Sequence, residues 1–236
     1  MANLLQDKVA IITGSGRGIG RGIAMLMAAE GAKVVVVDLG VNVDGTGMDQ
    51  SFAQQVVDEI SEAGGTAAAC VESVATMSGG ENIVRTAVDN FGKLDIVVTC
   101  AGILRDRMVF NMTEAEWDAV LSVHLNGAFN MVSHATPHMI RQKYGRIVLF
   151  SSGSGLGSSG QINYSAAKEG MVGFARSLAK ELGPYGITVN AVYPGGATRM
   201  TATVPQLARD LRGQAQKPTQ QTQGPPIQGP AEASDP

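Results

Sequence analysis

The chain has 236 residues, 44% apolar and 17% charged, a balance that suits a compact folded domain and excludes a disordered chain. Its 18 basic and 21 acidic side chains leave a net charge of −3 with no basic run, which argues against nucleic acid or an anionic membrane as a partner. No apolar stretch nears the ~18 residues that span a bilayer, and Met1 to Lys8 lacks the basic and apolar regions of a secretory signal. Cys70 and Cys100 make neither a disulfide framework nor a metal site, so the expectation is a cytoplasmic globular protein with no metal.

In chain order, Lys8–Thr13, Lys33–Asp38, Thr66–Val71, Leu94–Thr99, Arg146–Phe150 and Ile187–Val192 are short runs rich in Val and Ile. They predict strands buried on both faces. Amphipathic segments lie between them, two opening on capping-box patterns, Ser78 with Glu81 and Thr113 with Glu116. Strands alternating with helices predict an α/β fold: a doubly wound, mostly parallel sheet of the Rossmann type with helices on both faces. From Gly213 to Pro236 the composition changes to six Gln and five Pro in 24 residues, with Ile227 the sole large apolar side chain. A single domain over residues 1–212 and a disordered tail over 213–236 follow.

The first predicted strand runs into Thr13-Gly14-Ser15-Gly16-Arg17-Gly18-Ile19-Gly20, ahead of an amphipathic helix. Glycines there let the backbone approach a pyrophosphate, which sits on the N–H groups and positive dipole of the following helix. An ordinary strand–helix turn could look the same. Eighteen residues after Gly20, however, the second strand ends in Asp38, whose carboxylate can take the adenosine-ribose hydroxyls. That charge repels a 2′-phosphate and favours NAD over NADP. Arg17 dissents, since a guanidinium in this turn can pair with a 2′-phosphate.

Tyr164-Ser-Ala-Ala-Lys168 places a phenol and an ammonium at i and i+4 on one helix face. A free tyrosine titrates near ~10, so a nearby cation and NAD⁺ must bring it down by about 2–3 pH units before it serves as a base at neutral pH. A surface Tyr and Lys at helical spacing would read the same way in isolation.

Together, the glycine turn, Asp38, Ala101-Gly102, an upstream serine, Tyr164 with Lys168, and Pro194-Gly195 resemble the short-chain dehydrogenase/reductase family from Lys8 to Thr201. The resemblance implies Tyr164 as general base and Lys168 as the group that lowers its pKa and holds the nicotinamide ribose. A serine would orient the substrate oxygen. Cofactor contacts would come from Gly14, Arg17, Gly18, Ile19, Gly20, Asp38, Ser73, Val74, Ala101, Gly102, Pro194, Gly195 and Thr198, besides Tyr164 and Lys168. The serine is ambiguous. Thirteen residues before Tyr164 is Ser151, whereas the strand and the Ser-x-x-Gly pattern Ser152–Gly155 select Ser152. Strand register controls which way a side chain points and a loop absorbs a deletion cheaply, so Ser152 is the choice.

Departures from the family pattern include Thr99-Cys100 before Ala101, Ser73 after Glu72, and His124 where the family's relay asparagine falls. His124 either holds the relay water or is a packed helix histidine, and Asn126 lies on another side of the helix. Asp38-Leu-Gly40, Ala101 to Arg107, Val123-His-Leu125, Gly160 to Lys168 and Thr198 to Thr201 resemble one branch. That branch is the (3R)-hydroxyacyl-CoA dehydrogenase part of multifunctional enzyme type 2 and its bacterial relatives. It implies an NAD-linked enzyme acting on a secondary alcohol, with a 3-hydroxyacyl-CoA as candidate substrate. An NADPH-dependent 3-oxoacyl reductase and a non-catalytic NAD-binding subunit are the alternatives. The family continues after its sixth strand with a seventh, and nothing resembling it follows Thr201. The expectation is a chain incomplete relative to its working form, pairing through Thr113–Gln142 and Asn163–Leu182 into a homodimer or homotetramer.

Overall fold

The computed structural model describes residues 3–195. Six strands form one parallel sheet in the order β3-β2-β1-β4-β5-β6: β1 Val9–Thr13, β2 Lys33–Val37, β3 Thr66–Cys70, β4 Ile96–Thr99, β5 Gly145–Phe150 and β6 Ile187–Val192. The helices are α1 Gly18–Ala29, α2 Ser51–Glu62, α3 Met77–Phe91, α4 Glu114–Leu121, α5 Gly127–Gln142 and α6 Ile162–Leu182. The expected α/β fold is observed, each strand ending within two residues of its prediction.

The alternation of side chains along β1 builds both halves of the core. Val9 and Ile11 join the layer under α3, α5 and α6, with Val97, Ile147, Met131 and Met171. Ala10 and Ile12 face the other way into the layer under α1 and α2, with Val34, Val36 and Val56. Burying a Val or Ile side chain is worth about 1.5–3 kcal/mol, so Val9, Ile11 and Ile12 each contribute that much. β6 departs from burial on both faces: Ile187 and Val189 are buried while Thr188 and Asn190 are exposed. As an edge strand of the described sheet it is covered chiefly by α6.

The strand order reverses between β1 and β4, and a crevice opens beyond the carboxyl ends of the strands at such a point. Thr13 and Thr99 close the ends of these strands and tie the loops beyond them: Ala101 N–H donates to Thr13 Oγ1 at 3.1 Å and Phe150 N–H to Thr99 Oγ1 at 3.4 Å.

One of the two capping boxes forms. The Thr113 hydroxyl accepts from Glu116 N–H while the Glu116 carboxylate accepts from Thr113 N–H at 2.9 Å, which starts α4. The Ser78–Glu81 box does not. Helix α3 starts at Met77, two residues earlier than that pattern implies, because Thr76 is the cap and accepts from Gly79 N–H at 3.1 Å. Gly79 there lies directly on the Ser73 carbonyl, an approach no side chain would permit. Between α4 and α5 the helix passes through one π-helical turn, Ser122–Asn126, which sequence periodicity does not reveal.

Candidate active site

A cleft of about 480 Å³ sits over the carboxyl ends of β1 and β4. Its floor is the glycine turn. Gly20 presses on the Gly14 carbonyl so closely that a Cβ would overlap it, which lets α1 start directly against the strand end. Arg17, the N-cap of α1, places no side-chain acceptor on the first N–H groups, and the first turn carries no acid. An uncapped helix start at a cleft floor is a ready anion site, and it fits the pyrophosphate of a dinucleotide.

Asp38 closes the turn. Its Oδ2 accepts from Gly16 N–H at 2.8 Å and its Oδ1 from Gly40 N–H at 2.6 Å, which fixes the carboxylate at the cleft rim. Arg17 is turned away from a 2′-phosphate role in this conformation: its Nη2 donates to the Val41 carbonyl at 2.6 Å and its guanidinium lies 3.9 Å from the centre of the Phe52 ring. Of the other expected cofactor positions, Gly14, Gly18, Ile19, Ser73, Val74, Ala101, Gly102 and Pro194 line the cleft. Gly195 is exposed and is not among the lining residues. Thr198 and the 213–236 tail lie outside the described residues.

Helix α6 brings Tyr164 and Lys168 to the same cleft. Lys168 Nζ lies 5.5 Å from the Tyr164 ring centre and donates to the Phe150 carbonyl at 2.5 Å. Burial holds its ammonium down to about 8. The two candidate serines make different contacts. Ser151 is 2% exposed and its hydroxyl donates to the Lys168 carbonyl at 2.7 Å, so it braces α6. Ser152 lies beside the Tyr164 phenol and favours its ionised form, and its hydroxyl accepts from Ser154 N–H at 3.2 Å, but Ser151 and not Ser152 is among the residues lining the cleft.

The Tyr164 phenol is held above its ordinary range, so the lowering expected of Lys168 together with NAD does not come from the packed chain alone. Burial raises the phenol pKa, Asp106 adds to the rise, and Ser152 opposes it. A charge buried without a close partner is disfavoured, and the Lys168 ammonium is itself spent on a carbonyl. Cys100 is a thiol rather than a nucleophile, since burial pushes it up to about 12.

His124 is fully packed against the site. The π turn points it at the loop after β4, where Nε2 is within 2.9 Å of the Ile103 carbonyl and 3.1 Å of its N–H. Its ring meets that of Tyr164 edge-on, centres 5.1 Å apart. Burial holds it down to about 3, so it is neutral, and its buried Nδ1 has no partner. Asn126 is exposed, as its position on the helix implied.

Sequence reasoning missed the loop after β2. Val41 and Val43 pack with Ile103, Leu104 and Tyr164, and Leu104 N–H donates to the Val43 carbonyl at 2.8 Å. The alternating Val41 and Val43 were the available signal. Among the described residues no group of three or more potential metal ligands comes together, and no helix is long and apolar enough to cross a membrane.

The sequence model of the family described as short chain dehydrogenase matches residues 8–209. The chain belongs to the short-chain dehydrogenase family. Members of this family are oxidoreductases that act on CH–OH groups and bind a nicotinamide cofactor. Among its relatives, the short-chain dehydrogenase is 49% identical to the putative short-chain type dehydrogenase/reductase Rv0148 of Mycobacterium tuberculosis, over 85% of this chain and 70% of that protein. It is 46% identical to the peroxisomal multifunctional enzyme type 2 of Drosophila melanogaster, over 82% of this chain and 32% of that protein. It therefore spans about a third of the fly enzyme. A crystal structure of a short chain dehydrogenase from Mycobacterium avium superposes with a TM-score of 0.76 at 47% identity, over 84% of this chain and 70% of that one.

Proposed function

We propose that this short-chain dehydrogenase oxidises a secondary alcohol with NAD, or runs the reverse reduction, with Tyr164 exchanging the substrate's hydroxyl proton. The observation that carries this is that Tyr164 and Lys168 line a cleft whose floor is an uncapped helix start, with Ser152 beside the phenol. Bound in that cleft, the nicotinamide supplies hydride acceptance or donation, and its oxidised ring carries the positive charge that the buried phenol lacks. The Ser152 hydroxyl, beside the Tyr164 phenol and accepting from Ser154 N–H, can donate to the substrate oxygen. Ser151 braces Lys168 through its carbonyl, and the Lys168 ammonium together with the charge of the oxidised nicotinamide would favour the phenolate. Asp38 supports NAD over NADP, because a phosphate beside a fixed carboxylate is repelled.

The substrate class suggested by the branch motifs and by the likeness to multifunctional enzyme type 2 is a 3-hydroxyacyl-CoA. The apolar wall of Ile103, Leu104, Val41 and Val43 suits an acyl chain. A second reading, NADPH-dependent reduction of a 3-oxoacyl group, rests on Arg17, but its engagement with Val41 and Phe52 weighs against it. Exposed Phe129 on α5 and Ile162 on α6 support pairing of two chains through these helices, as a homodimer or a homotetramer. The test is NADH formation by purified protein against secondary alcohols and 3-hydroxyacyl-CoAs. No turnover with any of them, together with unimpaired NAD binding, would favour the non-catalytic subunit.

A further inference from the structure

Asp106 and Gln161 form a polar pair beside Tyr164 to which the reaction above assigns no part. Gln161 caps α6, the helix that carries Tyr164 and Lys168, and is only 3% exposed. Its Nε2 donates to Asp106 Oδ2 at 2.6 Å. The segment around Asp106 is clamped to the same helix start: Arg107 N–H donates to the Gly160 carbonyl at 2.7 Å and Asn163 Nδ2 to the Arg105 carbonyl at 2.9 Å.

The other oxygen of each group, Asp106 Oδ1 and Gln161 Oε1, is buried and meets no donor. Leaving a buried acceptor unpaired is unfavourable, and more so when it carries charge. The charged groups around Asp106 do not relieve this. Arg105 Nε donates to the Asp44 carbonyl at 3.0 Å, and Arg107 is paired with Glu116 of α4 at 2.7 Å. From α6 the titratable neighbour is the Tyr164 phenol, which a negative Asp106 makes harder to ionise. Burial accordingly pushes the Asp106 carboxyl up, with the Gln161 hydrogen bond opposing it more weakly.

A carboxylic acid and a primary amide are two-point partners. The amide N–H donates to one carboxyl oxygen, and the acid's O–H donates to the amide oxygen. A proton on Oδ1 directed at Gln161 Oε1 would give both orphaned oxygens a hydrogen bond at once. We infer that the Asp106 carboxyl keeps its proton to higher pH than an ordinary carboxyl, held by Gln161 in a reciprocal acid–amide pair that positions the start of α6 and, while protonated, places no negative charge beside Tyr164. Asp106 is thus a positioning residue, and its part in turnover rests on Tyr164 being the proton-transfer group.

Infrared difference spectroscopy of the full chain, unaltered against Asp106→Asn, reads the proton directly and needs no substrate. Asparagine keeps both hydrogen bonds of the pair, so the variant folds. The expected result is a protonated-carboxyl stretch that is absent from the variant, moves in D2O, and disappears only above the ordinary carboxylate range. Asp106→Ala is expected to lower kcat about tenfold, with Asp106→Asn recovering most of that loss. An Asp106 carboxyl that titrates in the ordinary range, or equal losses in the Asn and Ala variants, overturns the inference. An inactive unaltered enzyme that still shows the band would sink the reading of Tyr164 and leave the acid–amide pair standing.

Discussion

Gly102 lies where the ring of His124 needs its space: a Cβ at position 102 would overlap His124 Cε1 and fall 3.0 Å from Nε2. The same ring stands edge-on to Tyr164, so the glycine after β4, the π turn and the tyrosine of α6 form one packed unit. Gly102→Ala is expected to destabilise the protein by about 1–3 kcal/mol, the usual penalty of overpacking. It should also lower kcat by displacing the ring against which Tyr164 rests. Urea denaturation and steady-state kinetics check both, and an unchanged kcat would uncouple His124 from the tyrosine.

Tyr164→Phe should reduce turnover by ~10²–10⁴-fold or more while NAD affinity stays nearly constant, because the ring remains and only the proton-exchanging hydroxyl goes. Calorimetric titration with NAD beside initial-rate kinetics separates the two. Retained activity would exclude Tyr164 as the base.

The two serines should fail differently. Ser152→Ala is expected to lower kcat with little loss of stability, since its hydroxyl faces the phenol. Ser151→Ala removes the hydrogen bond to the Lys168 carbonyl and should cost about 1 kcal/mol or more of stability. Denaturation midpoints and kcat for the pair distinguish a substrate-facing hydroxyl from a bracing one.

Asp38→Ala should narrow the preference for NAD over NADP, because it removes the charge that opposes a 2′-phosphate. It also frees Gly16 and Gly40 N–H, so both dinucleotides should bind more weakly to the variant in a fluorescence titration. Tighter binding of NADP than NAD to the unaltered protein would reverse the assignment.

His124 gives stability a defined pH dependence. Burial lowers its pKa from 6.5 to about 3 in the fold. Between these values the unfolded chain binds a proton that the folded chain refuses, so stability rises with pH through that window and is lost as pH falls through it. Above 6.5 neither state is protonated and the dependence ends. Urea midpoints measured across this range should show a shallower rise for His124→Asn than for the unaltered protein, and equal slopes would mean that the ring is reached by water.

The strands, the glycine turn, Asp38 and the Tyr164–Lys168 spacing were all legible in the chain, because each is a local pattern: period two, period 3.6, or a turn whose backbone demands small residues. Helix α4 likewise announced itself through Thr113 and Glu116, three residues apart. Contacts between distant segments carry no such periodicity. The different surroundings of the two serines depended on how β5 ends against α6, with the Ser151 hydroxyl donating to the Lys168 carbonyl seventeen residues away. Arg17 looked free to take a phosphate until the loop after β2 offered it the Val41 carbonyl and the Phe52 ring. Tyr164 looked activated by Lys168 until burial and the Phe150 carbonyl weakened that effect. Asp106 and Gln161, separated by 55 positions, meet only because parallel strands carry their loops to the same end of the sheet. Local propensity reads out what each segment becomes, while desolvation and long-range hydrogen bonding, which need the packed chain, set the charge and reach of the groups in the cleft.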